Sequence, residues 1–257
     1  MSNVYFDLTR EFNREGVVAA LASGQAVVYY RLAMMSKDGD WILRESDDAC
    51  RRVLDVLHGH GARYRPGAPL DPRWLRGGWS SHLEFLDERR RRVRCDFFTR
   101  PPRVTASALH QLFADPSPAD GLLVVEIESL IKMKQTQRAK DYPVVGELAR
   151  LLSPEREIEL TTDPDRILDL APSLGARSSR SAVRAAITGL GREEVVVALA
   201  REMDAMQNED RTRVARYLAA AATYLEAFRA AGIGELPLPE AHVKACELAE
   251  RYLPLSP

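Results

Sequence analysis

The sequence predicts an α/β (α+β) fold in which a small mixed sheet with flanking helices is followed by an all-helical C-terminal region. An apolar run with strand character begins at Asp38. Two further strand-like runs, 80–86 and 93–99, are separated by a short charged segment, which is the pattern of a β-hairpin. From residue 153 onward the chain consists of helix-like segments. We therefore expect two domains, one over 1–152 that contains the sheet and a helical one over 153–257.

Composition limits the class of protein. The chain has 257 residues, of which 46% are hydrophobic, and a net charge of -1. This suffices for a buried core, while a charge near zero gives no global electrostatic reason to expect nucleic acid. Cys50, Cys95 and Cys246 are scattered, which argues against a disulfide framework and against a structural zinc site. The charged N-terminus and the lack of an apolar run of about 20 residues predict a soluble, cytoplasmic protein without a membrane span.

The first part of the chain predicts a helix and then a turn. Apolar residues at helical spacing favour an amphipathic helix over 8–22. Gly24 permits a tight turn and a close approach of the backbone to a ligand. The run 26–35 suits a short helix or a strand. If it is a helix, its first N–H groups lie near Ser23 and Gly24 and suit a phosphate. The alternative is an ordinary turn.

Two aspartates, Asp38 and Asp40, stand one residue apart at the start of the first strand. Because strand side chains alternate, both should point to the same face, with Gly39 leaving the other face open. Two carboxylates on one face repel each other unless a positive group lies between them. A magnesium ion with its bound phosphates is the usual solution, since Mg²⁺ takes hard oxygen ligands and one or two protein carboxylates.

A capped helix follows this strand. Ser46 suits the N-cap position of a helix over 47–60. His58 and His60 stand at the end of this helix without a neighbouring Cys or acidic cluster, so surface positions are favoured over a metal site.

The predicted hairpin carries a third aspartate and a run of arginines. Asp96 lies inside an apolar strand, where a lone buried carboxylate is costly. If the hairpin brings Asp96 beside Asp38 and Asp40, a shared cation would offset that cost. The turn contains four arginines at 89–92. They suit either contact with a nucleic-acid backbone or a solvated turn that discourages edge pairing.

Beyond the hairpin the sequence predicts a buried strand over 122–127 and a helix from residue 128. On that helix Lys134, Arg138 and Asp141 follow the i, i+4, i+7 spacing and should share a face. Such a face suits the oxygens of a triphosphate, and the alternative is a solvated helix face. The helical region after residue 153 shows no catalytic constellation.

The order of these motifs resembles nucleotidyltransferases of the DNA-polymerase-β type. Their pattern is a Gly-Gly or Gly-Ser turn, an Asp-x-Asp strand and a third aspartate in a later strand. The segment 127–152 is similar to one in minimal nucleotidyltransferases and abortive-infection-type toxins. The residues shared with that segment are Leu130, Ile131, Met133, Lys134, Arg138, Lys140 and Asp141.

The chain departs from this pattern at three places. Its turn reads Ser-Gly at Ser23 and Gly24, Gly39 stands where an apolar residue is usual, and Ser129 replaces an acidic residue.

The resemblance implies a transfer of a nucleoside monophosphate from an NTP, such as ATP, with release of pyrophosphate. Asp38 and Asp40 would hold one Mg²⁺ on the triphosphate, and with Asp96 a second one near the acceptor. Asp96 is also placed to take a proton from the acceptor hydroxyl. The residues implied in nucleotide binding are Ser23, Gly24, Lys134 and Arg138.

The acceptor class stays open between a small molecule, an RNA and a protein. The alternative to an enzyme is a binding module with the same fold, acting with a protein partner as in a toxin–antitoxin pair. A nucleic-acid modifier is the third interpretation, based on the arginines at 89–92 and on Arg73 and Arg76.

Overall fold

The computed structural model describes residues 3–114, 118, 120–174 and 177–257. It contains a five-stranded sheet in the order β1-β2-β5-β4-β3. The strands are β1 (Ala19–Ala22), β2 (Asp38–Leu43), β3 (Arg63–Tyr64), β4 (Ser81–Leu86) and β5 (Arg92–Phe98). β2 and β5 run parallel, while the other neighbouring pairs are antiparallel.

Helices flank the sheet and make up the C-terminal region. They are α1 (Val4–Phe12), α2 (Ser23–Tyr29), α3 (Asp47–Gly59), α4 (Pro72–Leu75), α5 (Ala106–Ala114), α6 (Ile127–Lys134), α7 (Tyr142–Ala149), α8 (Pro154–Leu160), α9 (Pro164–Leu174), α10 (Ser181–Ile187), α11 (Arg192–Ala230) and α12 (Leu238–Tyr252). Together with the mixed sheet, this confirms the predicted fold class. Among the described residues, no helix is both long and apolar enough to cross a bilayer.

Packing divides the chain into two compact units. The first contains Met1–Val125 together with Arg216–Pro257, and the second contains Glu126–Ala215. These boundaries differ from the expected division after residue 152. Compactness is not a test of independent folding, so the division into two domains stays a prediction.

Aromatic packing on one face of the sheet forms the core of the first unit. The rings of Trp41 on β2 and Phe97 on β5 are stacked, with centroids 5.3 Å apart. Phe12 of α1 meets both rings edge-on. The Trp41 Nε1–H group donates a hydrogen bond of 2.8 Å to Thr9 Oγ1, so the buried indole keeps a polar partner.

The second unit has a smaller core of its own. Ile158, Ile167, Val183 and Val195 pack together as fully buried side chains. Beside them the buried Glu157 carboxylate accepts two hydrogen bonds from Arg166, of 2.7 and 2.8 Å, which compensates its removal from water.

Two locally encoded elements form as predicted. Ser46 caps α3, its side chain accepting a hydrogen bond from the Ala49 N–H group. The segments at 80–86 and 93–99 form the antiparallel hairpin of β4 and β5.

The helix predicted over 8–22 is wrong beyond Phe12. The Asn13 side chain replaces the helical hydrogen bonds: its Oδ1 accepts from the N–H groups of Val18 and Ala19, each at 2.9 Å. Gly16, with φ 117°, then permits the reversal that few other residues adopt. The last residues of the predicted helix therefore form strand β1.

The strand predicted over 122–127 is also wrong. That segment makes only an isolated parallel bridge between Leu21 and Val124, closed by a hydrogen bond from Leu21 N–H to Leu123 O and one from Val125 N–H to Leu21 O, both of 2.9 Å. At Ile127 the chain has already entered α6. The apolar run buries only Val125 fully and pairs with β1 at a single residue, so its composition indicated neither the extent of burial nor the pairing.

The face expected to be open behind Gly39 is filled by two aromatic side chains. A Cβ atom on Gly39 would lie 2.4 Å from a Tyr5 ring atom and 2.4 Å from the Trp41 ring. The absence of a side chain at position 39 therefore allows both rings to pack beneath the strand.

We expect Gly39→Ala to lower the free energy of unfolding by about 1–3 kcal/mol, because an added methyl group overpacks this contact. Urea unfolding followed by tryptophan fluorescence measures the change.

Gly59→Ala is the matched control, because apart from the neighbouring backbone of α3 no atom lies within 4 Å of its Cβ position. An equal loss of stability in both variants would contradict the packing argument.

Candidate functional site

The sheet brings the three aspartates to one face. In the parallel pair β2 and β5, Asp40 is opposite Asp96, and Asp38 is opposite Arg94. Residues directly opposite each other on paired strands share a face, and i, i+2 neighbours on one strand do so as well. Asp38, Asp40 and Asp96 therefore lie on the face opposite the one formed by Trp41 and Phe97. Their roles in binding or catalysis stay predictions.

Basic side chains from neighbouring strands lie next to these carboxylates. Asp96 Oδ1 accepts a hydrogen bond of 3.1 Å from Arg65 Nη1 and lies 2.8 Å from His82 Nδ1. Asp38 Oδ1 lies 3.5 Å from Arg94 Nη1. No sequence motif predicted a role for Arg65, His82 or Arg94. The alternation of charged and apolar residues along β4 and β5 was the available signal for His82 and Arg94.

These ion pairs are partly exposed. The Asp38 side chain is 42% exposed and the Asp96 side chain 21%, so solvent and solutes reach the face. Ion pairs at such positions contribute little to stability, about 0–1 kcal/mol each. Arg65 and Arg94 therefore affect mainly the local charge around the aspartates, and His82 adds a hydrogen-bond partner for Asp96.

The aspartates suit magnesium in donor type and in placement, since hard carboxylate oxygens lie on a shared face. In the described part of the chain, however, no three His, Cys, Asp or Glu side chains are already gathered as a ligand set. A bound cation would have to replace Arg94 at Asp38 and compete with Arg65 at Asp96. The oxygen donors thus suit magnesium, but in this conformation Arg94 and Arg65 balance the negative charges of Asp38 and Asp96.

The Ser23–Gly24 turn lies at the same end of the sheet. β1 ends at Ala22, which is opposite Asp40, and α2 begins at the next residue, Ser23. Ser23 has φ 49°, an uncommon value for a residue other than glycine. The turn and the Asp-x-Asp strand are therefore adjacent in the structure as well as close in sequence.

Ser36 occupies the space beside Gly24. A Cβ atom on Gly24 would lie 2.2 Å from Ser36 Oγ. The Gln25 side chain donates a hydrogen bond of 3.0 Å to the Ser36 carbonyl oxygen. These two contacts attach the segment that enters β2 to the turn, so Ser36 and Gln25 influence the position of Asp38. No sequence motif predicted this role for either residue.

Lys134 and Arg138 belong to the second unit and do not share a helix face. α6 ends at Lys134, and the chain reaches Arg138 through an irregular segment, so the predicted i, i+4 relation is wrong. Lys134 is buried, and its Nζ lies 3.7 Å from Asp141 Oδ1. Arg138 is exposed.

Two histidines and the arginine run of the hairpin lie at the surface, at His58, His60 and 89–92. His60 Nε2 lies 2.8 Å from Glu11 Oε2, and His58 is exposed. In the hairpin turn, Asp87 Oδ1 accepts hydrogen bonds from the backbone N–H groups of Arg89 and Arg91, at 2.9 and 2.8 Å. The side chains at 89–92 are exposed, as a solvated turn requires.

Tyr5 connects α1 to the segment before Asp38. Its hydroxyl donates a hydrogen bond of 2.6 Å to the Lys37 carbonyl oxygen. Burial, with smaller contributions from Cys95 and Asp38, raises the pKa of Tyr5 to about 12. The phenol therefore remains protonated, and able to donate, at neutral pH.

Comparison with known proteins gives two distant structural neighbours. No protein-family model and no curated protein matches the chain. One neighbour is a candidate nucleotidyltransferase from H. pylori, 12% identical over 82% of this chain and 98% of its own, with a TM-score of 0.37. The other is JHP933 from Helicobacter pylori, 14% identical over 85% of this chain and 98% of its own, also with a TM-score of 0.37. Similarity at this level carries no argument about activity.

We expect Tyr5→Phe to lower the free energy of unfolding by about 1 kcal/mol at pH 7, because the Lys37 carbonyl loses its donor. The pKa of Tyr5 is higher in the folded state than in the unfolded state. Its contribution to the free energy of unfolding is therefore fully present below the unfolded pKa of about 10 and is lost as the pH rises toward about 12.

The stability difference between wild type and Tyr5→Phe should therefore shrink above pH 10, which is about the pKa of an exposed tyrosine. Denaturant titrations at a series of pH values measure it. A difference that stays constant into the alkaline range would refute the assigned role.

Proposed function

We propose that this protein is a Mg²⁺-dependent nucleotidyltransferase that moves a nucleoside monophosphate from an NTP, such as ATP, to an acceptor and releases pyrophosphate. The observation that carries the proposal is the parallel register of β2 and β5. It sets Asp40 opposite Asp96, with Asp38 on the same face and the Ser23–Gly24 turn beside them. Carboxylates grouped next to a tight backbone turn suit a metal-bound triphosphate.

In this proposal Asp38 and Asp40 would hold one magnesium ion together with the triphosphate. With Asp96 they would hold a second magnesium ion near the acceptor. When bound, the ions supply charge stabilisation for the attacking and leaving oxygens at the α-phosphate. Asp96 takes the proton from the acceptor hydroxyl, since a carboxylate next to that oxygen serves as general base. Ser23 contributes a hydroxyl, and the turn contributes backbone N–H groups to the phosphates.

Lys134 and Arg138 are proposed to neutralise the leaving pyrophosphate. For Lys134 this requires release from Asp141, which lies 3.7 Å from its ammonium nitrogen. The acceptor is an unidentified hydroxyl on a small molecule, an RNA or a protein.

A second candidate is a binding module without turnover, acting in a toxin–antitoxin pair or another protein complex. The observation that favours it is the pairing of Asp96 with Arg65 and of Asp38 with Arg94, while His82 Nδ1 also lies 2.8 Å from Asp96. Ser36 also fills the space beside Gly24 that a phosphate would approach. A chain of this kind would bind a protein partner and show no affinity for NTP.

We expect Asp38→Asn and Asp40→Asn each to weaken binding of Mg·NTP at least about a hundredfold. Removal of a residue that only supports a metal ligand already lowers metal affinity about 10–100-fold, and removal of a ligand itself should cost more. Calorimetric titration of each NTP, with and without Mg²⁺, measures this, and circular dichroism checks the fold.

Asp55→Asn is the matched control, because it removes an exposed carboxylate of α3 away from the polar face of the sheet. Unchanged Mg·NTP binding in both test variants would remove these aspartates from the site. If the wild-type protein binds no NTP and instead retains a defined protein partner in pull-down experiments, the binding module replaces the enzyme.

A further inference from the structure

A cavity opens at the end of β2 and β5 where these parallel strands finish, away from Asp38. Its volume is about 530 Å³, within the range of small-molecule sites. Leu43 and Arg44 at the end of β2, Thr99 and Arg100 after β5, and one side of α5 form its walls. In sheets with parallel strands, ligands commonly bind outside the carboxyl ends of the strands. The candidate aspartates lie at the opposite end of β2 and in the middle of β5.

Arg44 supplies an uncompensated positive charge to the wall of this cavity. Its Nη2–H group donates a hydrogen bond of 3.2 Å to the Phe113 carbonyl oxygen. Its guanidinium carbon lies 5.6 Å from the centroid of the Phe113 ring. In the part of the chain that the structure describes, Arg44 forms no ion pair with a carboxylate. Arg44 is exposed and lines the cavity, so its remaining donors are accessible to a solute there.

The neighbouring charges add to this positive potential. Glu45 accepts hydrogen bonds from Arg100 at 2.6 and 3.1 Å, and Arg76 Nε lies 3.8 Å from the same carboxylate. The contact with Arg100 lowers the pKa of Glu45, so the carboxylate stays ionised. One carboxylate therefore faces two arginines, and together with Arg44 the group retains an excess of positive charge.

The wall formed by α5, which Arg44 contacts at Phe113, is largely apolar and incompletely packed. Leu109 and Phe113 of α5 line the cavity and are half-buried. No described residue of α5 is fully buried. A ligand with an apolar body would cover this helix face, and removal of that apolar surface from water would favour binding.

We propose that this cavity binds a small organic anion, an aromatic carboxylate or a phosphate monoester. The acidic group binds at Arg44, and the apolar body packs against Leu109 and Phe113. A guanidinium pairs with carboxylate and phosphate through charge-assisted hydrogen bonds, so both anions belong to one ligand class. The site does not involve the aspartates and does not depend on nucleotidyl transfer.

The test is calorimetric titration of the full chain with phenyl phosphate and with phenylacetate. The comparison ligands are 2-phenylethanol, which lacks the charge, and inorganic phosphate, which lacks the apolar body. We expect saturable binding of the two aromatic anions and much weaker binding of both comparison ligands. No saturable binding of either aromatic anion at millimolar concentration overturns the proposal, and so does equal binding of 2-phenylethanol.

Arg44→Gln should weaken binding of the aromatic anions about tenfold, the value of a charge-assisted hydrogen bond. Arg89→Gln is the control, because it removes one positive charge from the exposed hairpin turn of the same unit. Equal weakening in both variants would indicate general charge attraction and overturn the assignment to this cavity.

Hydrogen exchange of the wild-type protein provides a measurement that does not depend on the folding of a variant. Phenyl phosphate should slow amide exchange in α5, because the ligand covers the helix face that lines the cavity. Protection that appears elsewhere and leaves α5 unchanged would overturn the proposal.

Discussion

The parallel pairing of β2 with β5 is the constraint on which the rest of the first unit depends. On the core face this pairing stacks Trp41 on Phe97, with Phe12 packed edge-on against both rings. Because strand side chains alternate, the packing of these rings also determines which residues emerge on the opposite face. A register shift of one residue would exchange the two faces and bury the aspartates. The placement of Asp40 opposite Asp96 is therefore a consequence of aromatic packing beneath them.

The core also positions the segment that leads into β2. Tyr5 of α1 packs beneath Gly39, and its hydroxyl donates a hydrogen bond to the Lys37 carbonyl oxygen. On the other side, Ser36 lies against Gly24 and is bound by Gln25. These contacts fasten the chain on both sides of Asp38. Because the segment around Asp38 is held in place, this carboxylate would lose less conformational freedom on binding a cation. This is the physical basis of preorganisation.

The two ends of the parallel strands differ in charge. The end with Asp38 and Asp40 combines carboxylates with two arginines that pair with them, Arg65 and Arg94. The other end carries an excess of arginine around a cavity. Parallel pairing causes this separation, because it gathers the amino ends of β2 and β5 at one edge of the sheet and their carboxyl ends at the other. One sheet thus presents two ends of different composition, one with carboxylates beside arginines and the other with more arginine than carboxylate.

The sequence by itself determined the elements that rest on local chemistry: the cap at Ser46, the hairpin, most of the C-terminal helices and the strand alternation that sets Asp38 and Asp40 on one face. The helix predicted over 8–22 and the strand predicted over 122–127 were wrong. In these segments the Asn13 side chain and the isolated bridge at Val124 determine the backbone conformation. Only the tertiary structure decided that Arg65 and His82 reach Asp96 and that aromatic rings fill the space behind Gly39. The physical reason is that periodicity and caps act within a few residues, whereas these contacts depend on which distant strands and helices pair.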